Sequence, residues 1–192
     1  GHADHPDVSW LTNADARGQV DWYGVKRATD WHRDSTYDDE LPLLAILHAR
    51  EIPATRGGTM FADMRAAYDA LPAGRKDLLS GLTALHGRHL GPAGARLYGD
   101  NKGETDRQYL EVRWPAVVGH PVTGRPILFV NPIHTYGFDG MEPARAAALI
   151  EELAAHATQD RFVYYHQWRV GDVLMWDERA TMHRSAGDYH PS

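Results

Sequence analysis

The apolar residues of this chain fall into short runs that proline, glycine and charged residues interrupt. Five of these runs have the length of a β-strand, and they cover positions 43–50, 113–118, 126–130, 162–165 and 173–176. The first is predicted to be buried, the second and third to form a hairpin, and the last two to pair antiparallel across Gly171-Asp172. Short strands with distant partners favour a β-sandwich or jelly-roll core over alternating strands and helices.

Helical periodicity is confined to a few segments that we expect to flank this core. One helix begins behind Asp63, which is a suitable N-cap, and stops before Pro72. A second short helix is predicted within 78–85, whereas 87–105 is predicted to be a loop. The clearest helix, over 143–156, has proline near its first position. Its apolar face consists of Ala146, Leu149, Ile150 and Leu153.

Composition limits the chemistry that the chain can support. Its 192 residues are predicted to form one domain, and a net charge of −6 argues against nucleic acid or an anionic membrane as the main partner. With no cysteine, disulfides, thiolate metal sites and a cysteine nucleophile are excluded. No apolar run approaches the length of a membrane span, so we expect a cytoplasmic protein. Any transition metal would be held by imidazole and carboxylate groups.

Two segments far apart in the sequence carry candidate metal ligands. In His32-Arg33-Asp34 the histidine and the aspartate point to the same side of an extended backbone. Such an H-x-D motif is common by chance, and a metal with open coordination positions needs a third protein ligand. His183, late in the chain, supplies a candidate. Two histidines and one carboxylate on one face of an ion form the ligand set of non-haem Fe(II) oxygenases.

Three segments that contain these motifs resemble a known family. They are WHRDSTYDDELPLLAILHAREIPATRGGTMFADMRAAYDALP at 31–72, HPVTGRPILFVNP at 120–132 and FVYYHQWRVGDVLMWDERATMHRSAGDY at 162–189. In this order they resemble the taurine/2,4-D dioxygenase family of Fe(II)- and 2-oxoglutarate-dependent oxygenases. The resemblance implies a mainly β fold with flanking helices around a double-stranded β-helix, or jelly roll. It also implies Fe(II), 2-oxoglutarate and O₂ as cofactor and cosubstrates.

The resemblance carries roles over to individual residues. It implies that His32, Asp34 and His183 are the catalytic iron ligands, and that Thr59 contacts a carboxylate of 2-oxoglutarate. His134 falls where the family often places a side chain that faces the substrate. The family's substrates are small and usually anionic, so we expect a carboxylate or a sulfonate. The expected reaction is oxidation of a C–H bond with release of succinate and CO₂.

Two parts of the family pattern are missing from this sequence. The arginine that pairs with the far carboxylate of 2-oxoglutarate is expected beyond Ser192, and Arg184 points to the wrong side of a strand to replace it. Family members also have a longer segment before the H-x-D motif. We therefore expect the chain to lack N-terminal, loop and C-terminal segments of the native protein, with breaks before Trp31, within 87–105 and after Tyr189.

Two other classes of protein remain as alternatives. One is a binding module that kept the jelly roll but lost catalysis together with the arginine. The other is a cupin-type hydrolase with zinc or iron, which would need neither Thr59 nor the arginine. Release of succinate in the presence of 2-oxoglutarate separates the oxygenase from both. The residues do not decide between a monomer and a homo-oligomer.

Overall fold

The computed structural model describes residues 5, 8–12, 17, 19, 28–53, 55–98 and 111–188. The strands within these residues are β1 (Leu44–His48), β2 (Thr59–Asp63), β3 (Thr83–His86), β4 (Val112–Pro115), β5 (Val117–Gly119), β6 (Pro126–Leu128), β7 (Thr135–Phe138), β8 (Val163–His166), β9 (Val173–Asp177) and β10 (Thr181–Ser185). The helices are α1 (Met64–Asp69), α2 (Ala73–Ser80), α3 (Pro92–Tyr98) and α4 (Pro143–Ala157). A 3₁₀ turn over Asp160–Phe162 leads into β8.

Strands from the two ends of the chain pair with each other. The order β10-β2-β8 forms one sheet and β4-β3-β7 a second, while β1-β9 and β5-β6 form two-stranded ribbons. Every one of these described pairings is antiparallel. Strands that pair across most of the chain while helices lie outside them are typical of a jelly roll. The expected mainly β fold with flanking helices is confirmed.

Helix α4 closes one side of the core as predicted. Glu142 caps its first turn, because the carboxylate accepts hydrogen bonds from the backbone N–H groups of Ala144 and Arg145. Pro143 occupies the first turn, where its missing N–H costs nothing. The helix packs against β7 and α1. Its buried residues are Ala146, Leu149, Ile150, Leu153 and Ala157.

Helix α1 begins without a loop at the end of β2. Asp63 is the last residue of the strand, and its side chain accepts hydrogen bonds from the backbone N–H groups of Arg65 and Ala66. The predicted N-cap is thus confirmed. Met64 and Ala67 are fully buried, and the helix packs against β6. This junction fixes the direction of β2, the strand that begins with the candidate site residue Thr59.

Strand β1 forms as predicted, but the expected burial is wrong. Leu44 and Ile46 are 44% and 62% exposed. The strand pairs with β9 alone among the described residues, so no layer of the described chain covers that face of the ribbon. An apolar run shows that a segment favours a strand, whereas burial depends on which other element packs over it.

The predicted pairing of 162–165 with 173–176 is also wrong. Strand β8 pairs with β2, and β9 pairs with β1. The turn between them is bonded to the end of β1 instead: Gly171 N–H donates to Ala49 O, and Ala49 N–H donates to Asp172 O. The connection therefore carries the chain from one sheet to another and does not close a hairpin.

Three further boundaries differ from the predictions. Helix α2 ends at Ser80, and Leu85 lies in β3, where Ala84 and His86 face inward with the period of a strand. The predicted strand 113–118 is interrupted at Ala116, which separates β4 from β5. The predicted loop 87–105 contains α3, and its part from position 99 onward lies outside the described residues.

The breaks expected before Trp31 and after Tyr189 fall mainly on positions outside the described residues. Among the described helices, none is long and apolar enough to cross a membrane. The hairpin of β5 and β6 is confirmed, with Val118 opposite Ile127.

Candidate metal centre

The two candidate histidine ligands are neighbours through their backbones. His32 N–H donates to His183 O at 3.1 Å, and His183 N–H donates to His32 O at 2.8 Å. This antiparallel bridge extends the β10-β2-β8 sheet by one residue of the H-x-D segment. A long sequence separation between the ligands is therefore compatible with direct contact in the fold.

The three predicted ligand side chains converge on one point. Asp34 Oδ1 lies 3.5 Å from His32 Nε2, and Asp34 Oδ2 lies 3.7 Å from His183 Nε2. One ligating atom from each residue lies within 4.8 Å of the others. The side chain of Asp34 is about half exposed, so the point where the atoms converge is open on that side. Two neutral imidazoles and one carboxylate fit a divalent metal that keeps further positions for exogenous ligands.

Local contacts favour the tautomer with a free Nε2 in His32 and the neutral form of the imidazole in His183. The Nδ1 atom of His32 is 2.8 Å from the carbonyl oxygen of Asp30, so it carries the proton and leaves the Nε2 lone pair free. Burial, followed by the electrostatic influence of the neighbouring His32 and Arg33, lowers the pKa of His183 well below its usual value. His183 is therefore neutral at physiological pH, which is the form that binds a metal.

A buried carboxylate lies directly behind the three side chains. Glu178 is 1% exposed, and its Oε1 accepts a hydrogen bond from the backbone N–H of Asp34 at 2.7 Å. Its Oε2 accepts a hydrogen bond from Trp176 Nε1 at 2.5 Å. Burial and, after it, the negative charge of Asp34 raise the pKa of the Glu178 carboxyl to about 7. Sequence reasoning missed this residue, although it stands between a predicted strand and His183.

Arg33 anchors the H-x-D segment from the opposite side. Because it alternates with His32 and Asp34, its side chain points inward, where it is fully buried. Its Nε donates to Thr181 O at 3.2 Å, and its guanidinium lies 4.3 Å from the centre of the Phe129 ring. Burial lowers the pKa of Arg33 to about 10, so the group stays charged at neutral pH. Sequence reasoning also missed this anchor.

Thr59 lies on the same face of its sheet as His183. Thr59 is opposite Ser185 and Phe61 is opposite His183 in the β2–β10 ladder, and side chains two residues apart share a face. The hydroxyl oxygen of Thr59 accepts a hydrogen bond from Trp168 Nε1 at 2.9 Å. Thr59, the residue predicted to contact the cosubstrate, therefore lies on the same face of the sheet as His183, a candidate metal ligand.

Arg184 lies on the other face, as its position in the strand predicts. Its guanidinium is 5.3 Å from the centre of the Trp31 ring and contacts Met60 Sδ. The position of the expected arginine beyond Ser192 lies outside this sequence.

His134 is buried beside the H-x-D segment. Its Nδ1 accepts a hydrogen bond from the backbone N–H of His89 at 3.1 Å, and its ring lies 4.7 Å from that of Tyr37. Burial, followed by the electrostatic influence of His32, lowers the pKa of His134 well below its usual value. A neutral imidazole thus lies next to an aromatic ring, within electrostatic range of His32.

Known proteins share this sequence pattern. The model of the family described as "Taurine catabolism dioxygenase TauD, TfdA family" matches residues 2–192. The alpha-ketoglutarate-dependent 2,4-dichlorophenoxyacetate dioxygenase of Cupriavidus pinatubonensis is 41% identical over 156 residues, which cover 80% of this chain and 53% of that protein. The (S)-phenoxypropionate/alpha-ketoglutarate-dioxygenase of Delftia acidovorans is 37% identical over 197 residues, or 93% of this chain and 66% of that protein.

A solved structure shares the fold. The crystal structure of AAD-2 in complex with Mn(II) and N-oxalylglycine superposes with a TM-score of 0.75 at 35% identity, covering 82% of this chain and 62% of the other. This similarity confirms the expected jelly roll. The chain spans between 53% and 66% of the length of the two relatives above. The family predicted from the sequence motifs is confirmed: this chain belongs to the taurine catabolism dioxygenase TauD, TfdA family.

Proposed function

We propose that this chain is the catalytic part of an Fe(II)- and 2-oxoglutarate-dependent dioxygenase that oxidises a C–H bond of a small anionic substrate. The observation that carries the proposal is the convergence of His32, Asp34 and His183, whose ligating atoms lie within 4.8 Å of one another. Fe(II), when bound with 2-oxoglutarate, activates O₂ for oxidation of the substrate while succinate and CO₂ are released. The protein residues hold and orient the reactants.

In this proposal three side chains would hold the metal. His32 and His183 would supply Nε2 atoms from two chain segments that a backbone bridge holds together. Asp34 supplies the carboxylate, and its backbone N–H is held by Glu178. Because Asp34 is about half exposed, the site is open to 2-oxoglutarate and O₂, which would bind to the metal once these residues hold it.

We propose that Thr59 binds a carboxylate of 2-oxoglutarate together with an arginine outside this sequence. A hydroxyl carries no charge, and burying an anion without a positive partner is unfavourable by several kcal/mol or more. An arginine suits the role because its planar guanidinium meets a carboxylate through two hydrogen bonds. The expected place for it is shortly after Ser192, within a native domain that also has further N-terminal and loop segments.

The substrate that this proposal favours is a small carboxylate, with sulfonates as the second class. Two relatives are named for 2,4-dichlorophenoxyacetate and for (S)-phenoxypropionate, which are both aryl ether carboxylates. In this chain, His134 and Tyr37 place a neutral imidazole and an aromatic ring beside the H-x-D segment. We propose His134 as a residue that faces this substrate.

The test is substrate-dependent release of succinate by the purified full-length protein. With Fe(II), ascorbate and 2-oxoglutarate present, a panel of phenoxyalkanoates, other carboxylates and sulfonates should include compounds that stimulate turnover. Replacing His183 by alanine should abolish release, with a loss greater than the roughly 10–100-fold that removal of an outer-shell partner causes. Turnover that needs no 2-oxoglutarate would favour the metal hydrolase. Absence of metal binding would favour the binding module, and stimulation by neutral or cationic compounds alone would overturn the anionic substrate.

A further inference from the structure

Glu178 is a buried carboxylate for which the proposed reaction has no direct use. It lies one residue after β9, in the short connection to β10. Both of its oxygens accept hydrogen bonds, one from the backbone of Asp34 and one from the indole of Trp176. A carboxylate that is 1% exposed is stable only where such donors surround it.

A third group faces the same oxygen. His183 Nδ1 lies 3.8 Å from Glu178 Oε1, which is slightly too long for a hydrogen bond. Within the described residues, His183 Nδ1 is buried and has no hydrogen-bond partner. A shift of less than about 1 Å in either side chain would bring the pair to hydrogen-bond distance.

If a metal binds His183 at Nε2, the Nδ1 atom of His183 must act as a hydrogen-bond donor. A neutral imidazole that ligates through Nε2 carries its proton on Nδ1, which then needs an acceptor. Ligating histidines almost always donate this proton to a carboxylate, a carbonyl or water. His32 already has such an acceptor, because its Nδ1 lies 2.8 Å from Asp30 O. For His183, the acceptor that the described residues provide is Glu178, whose Oε1 lies 3.8 Å from Nδ1.

We propose that Glu178 is the positioning residue of the metal centre: it orients His183 through Nδ1 and Asp34 through its backbone N–H. The inference rests on the proposed function only in taking these residues as metal ligands. One carboxylate then fixes two of the three ligands relative to each other, although they come from opposite ends of the chain. Glu178 itself contacts neither the metal nor the substrate.

The experiment compares Mn(II) affinity in wild-type protein, Glu178→Gln and Asp177→Asn, followed by loss of the signal of free Mn(II) in electron paramagnetic resonance. Glutamine preserves the length of the side chain, but its single carbonyl oxygen cannot accept from Asp34, Trp176 and His183 together. We expect the dissociation constant to rise by roughly 10–100-fold, the usual loss for an outer-shell partner.

Asp177→Asn is the matched control. It removes one carboxylate charge from the adjacent position of the same connection, where the partners are His120 and Arg179 and not the metal ligands. Its dissociation constant for Mn(II) should stay within about twofold of wild type. Wild-type affinity in Glu178→Gln, or an equal loss in Asp177→Asn, would overturn the proposal.

A measurement on the wild-type protein keeps the test valid if Glu178→Gln does not fold. In the Zn(II)-loaded protein labelled with ¹⁵N-histidine, the Nδ1 proton of His183 should be visible downfield and protected from exchange. A proton there that exchanges as fast as in an exposed imidazole would overturn the proposal. If the enzyme releases succinate normally but Mn(II) affinity does not depend on Glu178, this inference fails and the proposed function stands. If Mn(II) affinity depends on Glu178 but no substrate stimulates 2-oxoglutarate turnover, the proposed function fails and this inference stands.

Discussion

Trp168 determines whether the hydroxyl oxygen of Thr59 donates or accepts in their shared hydrogen bond. The indole N–H of Trp168 can only donate, so Thr59 Oγ1 acts as the acceptor across their 2.9 Å contact. The proton of the hydroxyl is then directed elsewhere and is available to an anion. A hydroxyl whose proton is free to be donated suits a contact with a carboxylate of 2-oxoglutarate, which accepts hydrogen bonds and donates none.

We expect Thr59→Val to weaken binding of N-oxalylglycine to the Mn(II)-loaded protein by roughly tenfold or more, since a hydrogen bond to a charged group contributes about 1.5–3 kcal/mol. Trp168→Phe, which keeps a ring but removes the donor, should weaken it by about two- to tenfold. In the Thr59→Val background the second substitution should have no further effect, because the hydroxyl that it orients is gone. Calorimetric titration with N-oxalylglycine of the wild type, the two single variants and the double variant measures this coupling. Additive losses would show that Trp168 acts independently of Thr59.

The connection between β9 and β10 is held in place by a second aspartate. Asp177 Oδ2 lies 2.7 Å from His120 Nε2, and its Oδ1 accepts hydrogen bonds from Arg179. His120 Nδ1 in turn accepts from the backbone N–H groups of the turn between β5 and β6. The hairpin is thereby attached to the end of β9, next to Glu178.

This attachment predicts a pH-dependent contribution to stability. Burial raises the pKa of Asp177, but hydrogen bonds from Arg179 and His120 outweigh it and hold the value at about 2. A depressed folded-state pKa stabilises the native state above the unfolded value of about 3.9 and loses this effect as pH falls toward 2. Asp177→Asn should therefore be less stable than wild type at pH 5–6 in urea unfolding. The difference should shrink below about pH 4, and a difference that is constant from pH 3 to 6 would contradict the assignment.

The candidate metal centre connects distant parts of the chain. His32 and Asp34 precede β1, while His183 lies in β10, the last described strand. A metal that these residues share can bind only when both segments are in their native places. Metal binding and folding are consequently coupled.

Thermal unfolding tests this coupling. At a free Mn(II) concentration about 100 times the dissociation constant, the native state should gain about 2.7 kcal/mol. For a domain of this size, that corresponds to an increase in Tm of about 5–10 °C. Thr59→Val should keep the increase because it leaves the ligands in place, whereas His183→Ala should lose it. An equal increase in His183→Ala would place the metal elsewhere.

Local signals in the sequence predicted several parts of the fold correctly. Asp63 and Glu142 accept hydrogen bonds from backbone groups two and three residues away, so the beginnings of α1 and α4 follow from short segments alone. The hairpin of β5 and β6 also depends on neighbours in sequence. The H-x-D motif predicted two candidate ligands because it places His32 and Asp34 on one side of the backbone. His183 completed the ligand set, and the resemblance to a family implied all three.

Strand partners and burial were decided only by the tertiary structure. Strand β8 pairs with β2 and β9 with β1, although a turn between β8 and β9 favoured their pairing with each other. Any extended segment offers the same row of N–H and C=O groups, so its composition does not specify which strand completes its ladder. The exposure of β1 depends instead on which element packs over it, and within the described part of the chain none covers its outward face.

The role of Glu178 likewise depends on contacts that no local pattern encodes. Its residue type and its position after a strand were visible in the chain, but its partner Asp34 comes from the other end of the sequence. The amino-acid order therefore determined the ligand types, the caps and the turns, which involve atoms a few residues apart. The long-range pairing of backbones determined which of these groups meet, because hydrogen bonds between strands and the burial of charge are satisfied only in the assembled fold.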